Sequence, residues 1–359
     1  MLYFSMSEKV YFIKIEDNER DDVIAAKLIK VLTSRKLLSF IKPKNIVAVK
    51  THFGEKDAKG YVRPIVLKEL GELIKTMDAK PFLTETSTLY RGQRSNAIDH
   101  INLAYSHGFT FGNTGMPIIM ADGLFGDDEV SISIDGEIFK EVNIASQIEK
   151  SQALILVSHF TGHIVAGFGA TIKNLGMGCV SRRGKLIQHS TAKPSIKISK
   201  CTGCGTCVKW CPKDAITIND GKATIKNSLC IGCGECLAVC NYDAVGFNWS
   251  ETYENLQKKI AEHALGVVKN KIGKVLYINF MNRISKECDC MSKYEKISKD
   301  IGVLVSTDPV AVDKASLDMF LKYTGVNINE MSYDIPYKIQ VEHGEKIGLG
   351  KLKYDLIEL

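Results

Sequence analysis

The sequence predicts an α/β fold: a domain built on a parallel sheet, split by a small cysteine-rich α+β insertion. Three observations predict it. Short runs of β-branched and other apolar residues alternate with stretches of helical period, both before and after the insertion. That is the pattern of a sheet covered on both faces. The insertion holds eight of the eleven cysteines of the chain within 40 residues, Cys201 to Cys240. The remainder, in a chain of 359 residues with 45% apolar and 25% charged side chains, has the composition of an ordinary soluble protein of two or three domains. The expected divisions are 1–195 and 251–359 for the two parts of the α/β domain and 196–250 for the insertion.

Each element has its own signal. Asn45–Lys50 (NIVAVK) reads as a buried strand, and Pro64–Met77 as the helix after it. Pro81–Thr84 (PFLT) and Ala153–Val157 (ALILV) are further strands. After the insertion, Glu254–Ile272 has helical period and leads into the strand Lys274–Asn279 (KVLYIN). Gly302–Val305 (GVLV) is the last strand. Asp308 and Pro309 then form an N-cap and first-turn pair for a helix through Asp313 to Tyr323.

Within the insertion, Cys201, Cys204, Cys207 and Cys211 are spaced C-x2-C-x2-C-x3-C, and Cys230, Cys233, Cys236 and Cys240 repeat that spacing. Three cysteines two residues apart wrap one loop around three irons of a cubane. The glycines between them let backbone N–H groups approach the sulfides. The fourth cysteine of each run reaches the other cluster. Two [4Fe–4S] clusters are therefore expected, one on Cys201, Cys204, Cys207 and Cys240, the other on Cys230, Cys233, Cys236 and Cys211. Zinc knuckles and disulfides are the alternatives, but zinc sites usually show paired C-x2-C units and cytosolic disulfides are rare. The two halves align at an offset of 29 with eight of eighteen positions identical. Each reads as a cysteine loop, a short helix and a strand, Ala215–Ile218 and Ala244–Phe247. So short a segment buries little core and depends on its metal. It resembles the bacterial two-cluster ferredoxin module.

The formal charge is +6. Two clusters with four thiolates each would bring it to about +2, which weakens any case for nucleic-acid binding, and no basic tract supports one. No apolar run approaches the ~20 residues of a membrane span. The first residues lack the features of a signal peptide, so a cytoplasmic location is expected.

In open α/β sheets, ligands bind beyond the carboxyl ends of the strands. Here those ends are polar: Thr51-His52-Phe53-Gly54-Glu55 leading to Arg63-Pro64; Glu85-Thr86-Ser87-Thr88 followed by Tyr90, Arg91 and Arg94; and Ser158-His159-Phe160-Thr161-Gly162-His163, followed by Lys173-Asn174, Cys179, Lys185 and His189. Each histidine has a competing reading as a hydrogen-bonded structural residue, and each arginine as solvated surface charge. Three cysteines lie outside the insertion. Cys288 and Cys290 come after a strand by a short loop. With Cys179 or His189 they read either as idle thiols or as a third site for iron, zinc or nickel. Gly167-Phe168-Gly169 hints at a nucleotide loop but lacks the third glycine and the acidic partner.

These motifs carry two resemblances. THFGE at 51–55, SHFTGH through IKNLGMGC at 158–179, the insertion, CDC at 288–290 and DIGVLVSTDPVAVD at 300–313 resemble the iron–sulfur family known as domain of unknown function 362, over nearly the full length. More distantly, the first domain is similar to the N-terminal domain of nickel-pincer lactate racemase. That likeness implies a catalytic histidine at His163, a cofactor-bearing lysine at Lys173 and a nickel-binding histidine at His189, with Arg63 gripping a substrate carboxylate. The racemase's Thr-His-Arg is replaced by Glu85-Thr86-Ser87-Thr88, which removes its second catalytic histidine unless His52 or His159 substitutes. Asn174-Leu175-Gly176 stands where the racemase has Pro-Gly after the lysine.

The function expected is that of an iron–sulfur oxidoreductase of anaerobic metabolism, exchanging electrons with a soluble partner protein. Arg63, Arg91 and His52 would hold an anionic small molecule, and His163, His159 and Lys173 would act on it. A pure electron carrier or maturation factor is one alternative. A racemase-like enzyme for a small hydroxy acid, with structural clusters, is another.

Overall fold

The computed structural model describes every residue except 1–6, 91, 190–192, 231–233, 243 and 247–251. Its centre is a seven-stranded sheet in the order Tyr354–Glu358, Glu8–Lys14, Gly302–Ser306, Val275–Met281, Ala153–His159, Ile46–Lys50, Lys80–Thr84. All five strands expected for the α/β domain are present. Four of them, from Val275–Met281 to Lys80–Thr84, run mutually parallel. Gly302–Ser306 departs from the expected parallel sheet, pairing antiparallel with both neighbours. The stretch between it and the preceding strand contains no helix, and without a crossover helix the chain returns antiparallel. Glu8–Lys14 and Tyr354–Glu358 extend that edge and were not expected.

The period-2 alternation of the strands feeds two cores. Val47, Val49, Ile155 and Val157 face one side, against Ile24, Leu28 and Leu32 of helix Asp21–Ser34 and Val66, Leu70 and Ile74 of helix Pro64–Lys75. Ala48, Leu154 and Leu156 face the other, against helices Thr171–Gly176, Tyr253–Lys269 and Pro309–Thr324. Each buried Val, Leu or Ile contributes about 1.5–3 kcal/mol. Asp308 caps its helix as expected, accepting from the Val310 and Ala311 N–H groups at 2.9 and 2.8 Å.

The cysteine-rich segment forms a small unit with its own apolar cluster, built around Ile216, Ala223, Ala244 and Val245. Ile216–Asn219 pairs with Lys222–Ile225, and Val245–Gly246 pairs with Ser195–Ile196. Phe247, the end of the expected second strand, lies outside the described residues. No helix among the described residues is long and apolar enough to cross a membrane.

Candidate functional site

A cavity of about 330 Å3 opens beyond the carboxyl ends of the parallel strands, where an open α/β sheet binds ligands. The residues at and just after each strand end build its wall. Lys50 ends one strand and Glu85 comes directly after the next. Their side chains form a fully buried ion pair at 2.6 Å, and Lys50 also donates to Asn174 Oδ1 at 2.7 Å. Arg94 is held through Nε by Glu55 at 2.9 Å and packs beside Tyr90. Neither Lys50 nor Arg94 was assigned a role from sequence, because a strand-end lysine and a loop arginine look like surface charge until the strands are assembled.

Two further cations differ from these. Lys173, on helix Thr171–Gly176, is half-buried at the cavity wall, and Lys185, on helix Arg182–His189, is buried there. Neither has an ion-pair partner among the described residues. Lys185 donates only to neutral oxygens, Thr86 Oγ1 and Val180 O, both at 2.7 Å. Burial pushes both ammoniums down to about 8; for Lys173 the Arg94 charge adds to the effect, and for Lys185 Asp122 opposes it. These two ammoniums, neither of them in an ion pair among the described residues, put positive charge on the chamber wall.

The histidines are held in ways that limit their chemistry. His159 Nδ1 faces the Asp289 carboxylate at 3.0 Å and Nε2 faces the Asn282 carbonyl at 2.8 Å. Both ring nitrogens are taken, so His159 is not placed to accept a proton from a substrate. His52 Nδ1 accepts from the Gly54 N–H at 2.9 Å, and Nε2 meets Arg94 Nη1 at 2.9 Å. Burial, with Arg94 nearby, drives its basicity well down. His163 Nδ1 accepts from the Val165 and Ala166 N–H groups at 3.1 and 2.9 Å, which leaves Nε2 as the protonated nitrogen. His163 is also driven well down by burial and by Lys173, and His189 to about 4 by the same two causes.

The cavity thus gathers His52, His159, His163, Lys173 and His189 from the residues singled out in the sequence. Arg63 is not among them. Its guanidinium stacks on Tyr61 at 4.5 Å and donates to the Lys59 carbonyl at 2.8 Å, outside the cavity. Arg91 lies outside the described residues. Cys179 is not in the cavity wall either: it is buried in the apolar core, and burial pushes its thiol up to about 12. Cys288 and Cys290 do reach the cavity, but joined to each other in a disulfide rather than as the paired thiolates expected. His163, not Cys179, is the side chain beside them, with its ring nitrogen and both sulfurs within 4.8 Å of one another.

In the cysteine module, Cys201, Cys204, Cys207 and Cys240 line one small cavity, and Cys211, Cys230 and Cys236 line a second. Cys233 lies outside the described residues. In both cavities the fourth cysteine of one run is turned to the loop of the other. Cys201, Cys204, Cys207, Cys211, Cys230 and Cys240 form no disulfide. Backbone N–H groups point at their sulfurs, Ala223 to Cys201 at 3.3 Å and Ala215 to Cys211 at 3.2 Å. The module touches the α/β body through Trp210 against Phe125, ring centroids 5.6 Å apart, and through Leu186, whose Cδ2 is 3.1 Å from where a Cβ on Gly234 would stand.

Fold and site together define an α/β protein with a buried cationic chamber at the strand ends and a cysteine-rich module packed beside it. The chain belongs to the family described as domain of unknown function (DUF362), whose model matches residues 47–318. No curated protein matches it. Among solved structures it is similar to the lactate racemase apoprotein of Thermoanaerobacterium thermosaccharolyticum, at 12% identity and a TM-score of 0.39, over 75% of this chain and 50% of that one. It is also similar to a structural-genomics protein of Thermotoga maritima, at 11% identity and a TM-score of 0.45, over 93% of this chain and 61% of that one. The chain therefore spans less than two thirds of the length of either.

Proposed function

We propose that this protein is an iron–sulfur oxidoreductase acting on a small anion held in the strand-end chamber. The observation that carries the reading is the helix Arg182–His189. It presents Lys185 and His189 to the chamber and Leu186 to the loop of the second cysteine set. One short helix is thus shared by the anion site and the cysteine module.

The residues of the module fit two cubanes. Cys201, Cys204, Cys207 and Cys240 would hold one; Cys230, Cys233, Cys236 and Cys211 would hold the other. The exchanged cysteine sets and the N–H groups aimed at sulfur suit thiolate ligation of a cluster. Such clusters, when bound, supply one-electron transfer. The chain's own contribution lies in the chamber. Lys173 and Lys185 attract and orient the anion, and the buried Lys50–Glu85 and Arg94–Glu55 pairs hold the wall rigid. The Nε2–H of His163 offers a hydrogen bond. The soluble redox partner and the cytoplasmic setting belong to the same proposal.

The racemase-like reading is favoured by one observation, that His163, Lys173 and His189 share the chamber. Proton exchange on both faces of a substrate needs two competent acid–base groups. His52 and His159, the two candidates for the second group, are both engaged at each ring nitrogen, which favours the redox reading.

Anaerobically isolated protein should contain about eight irons and eight sulfides, and a count near four would overturn the two-cluster assignment. Malonate, as a probe anion, should bind by calorimetry at neutral pH and weaken as pH rises through about 8, where Lys173 and Lys185 lose their charge. It should also perturb the cluster EPR signal. Deuterium washing from D2O into lactate without any redox change would favour the racemase-like alternative instead.

A further inference from the structure

The loop carrying Cys288 and Cys290 is pinned from both sides. The Asp289 carboxylate is held by His159, and the Asp289 carbonyl accepts from the Glu55 N–H at 2.9 Å. This fixes Cys288, which is buried, at the wall of the chamber, and leaves Cys290 partly exposed beside it. Lys173 Nζ stands 3.9 Å from Cys288 Sγ, and the Cys290 N–H points at the same sulfur at 3.4 Å. A cation and an N–H donor on one sulfur favour its anionic form, the nucleophile in thiol–disulfide exchange.

His163 and the two sulfurs also lie close enough to suggest a metal site. The hydrogen bonding opposes it. A histidine that ligates a metal donates its other ring N–H to an acceptor. Here the other nitrogen, Nδ1, receives two backbone N–H groups. The nitrogen left over keeps its proton and has no lone pair for an ion.

We propose that Cys288 and Cys290 form a dithiol–disulfide couple that exchanges two electrons with an anionic disulfide bound in the chamber, Cys288 being the attacking sulfur. This rests on the oxidoreductase reading and gives it a substrate class. In the reduced pair, the Cys288 thiolate attacks one sulfur of the substrate. The substrate S–S bond breaks as the mixed disulfide forms, and the first leaving sulfur takes a proton from the Lys173 ammonium. The Cys290 thiol returns a proton to Lys173 and attacks Cys288, which closes the internal disulfide and expels the second sulfur as a thiolate. One disulfide has gained two electrons and the cysteine pair has lost two. Two electrons and one proton, from a low-potential one-electron carrier acting twice, restore the starting state.

The test uses cluster-loaded, anaerobic protein and dithiodipropionate as the probe, with mass spectrometry of the peptide containing residues 288–290. Protein reduced with dithiothreitol should take two alkyl groups on that peptide, and none after reaction with the probe. Cys290→Ser should trap the probe on Cys288 as a mixed disulfide. Lys173→Met should slow trapping by about tenfold or more, and Lys173→Arg, which keeps the charge but cannot give up a proton, should restore only the part due to charge. The couple is overturned if both thiols alkylate freely yet no mixed disulfide forms. It is equally overturned if they resist alkylation and the protein holds a metal, beyond the cluster iron, that the Cys288→Ser/Cys290→Ser double variant loses. Iron content and malonate affinity, measured on the same samples, report separately on the wider reading. Their failure beside an intact thiol couple would sink that reading and leave the couple standing.

Discussion

Lys50 and Glu85 sit on neighbouring strand ends with almost no exposure. An ion pair so placed gains less than its Coulomb energy suggests, because both charges have left water. Removing one partner is another matter, since the survivor stays buried and uncompensated. Lys50→Met should therefore cost about 3–5 kcal/mol of stability. The double variant Lys50→Met/Glu85→Leu should recover most of that loss. Urea midpoints at fixed cluster content would measure both, and a double variant as weak as the single one would contradict this account. The same contrast explains why Lys173 and Lys185 read as binding groups. Lys185 is buried much as Lys50 is, and Lys173 partly so, yet neither has an ion-pair partner among the described residues.

Helix Thr171–Gly176, which positions Lys173, is too short to orient itself. Its start is fastened by Asp313, whose carboxylate accepts from the Thr171 and Ile172 N–H groups at 2.9 and 2.8 Å and from Asn279 Nδ2 at 2.8 Å. Thr171 Oγ1 donates to Asn279 Oδ1 in turn. The Asp313 of the DPVAVD run thus serves a different helix from the one it lies on. Burial raises this carboxyl to about 7, against the opposing pull of its hydrogen bonds. The folded form then holds the proton more tightly than the unfolded form, so stability is lost as pH rises from about 4 to about 7. Relative to wild type, Asp313→Asn should therefore gain ground across that window and level off above it, which a series of urea midpoints would test. Asp313→Ala leaves buried N–H donors unpaired and should be about 1–3 kcal/mol less stable than Asp313→Asn at any pH.

At the scale of the molecule, the two units differ in what holds them. The α/β body has a covered sheet and two extensive apolar cores. The cysteine module has a cluster of a few small side chains and two pairs of very short strands, so on the proposed reading its fold would rest on the clusters. Stripping the metal should unfold the module and leave the body intact. Limited proteolysis of apoprotein should then cut between about 196 and 246 first, with the body fragments persisting. Equal protease resistance in the apo and holo forms would contradict this.

Much of the architecture is encoded locally. Continuous β-branched runs reveal buried strands, and all five expected for the α/β domain exist. The Asp308-Pro309 cap and the strand-end location of the chamber also come from spacing and from a topological rule. Family membership was legible in the same motifs. Strand direction was not, because a run such as GVLV reads alike either way and only the connection before it decides. Nor was the inventory of the chamber. Arg63 lies just beyond a strand end in sequence yet stacks on Tyr61, whereas Lys50 and Arg94 turn inward. Partnering is likewise a three-dimensional property. Sequence alone determined which residues have the chemistry to act; the tertiary structure decided which histidine nitrogens are taken, which lysines form no ion pair among the described residues and which sulfurs meet. Those outcomes depend on groups brought together from distant parts of the chain, such as Asp289 with His159 and Lys173 with Cys288, and no local pattern encodes such distances.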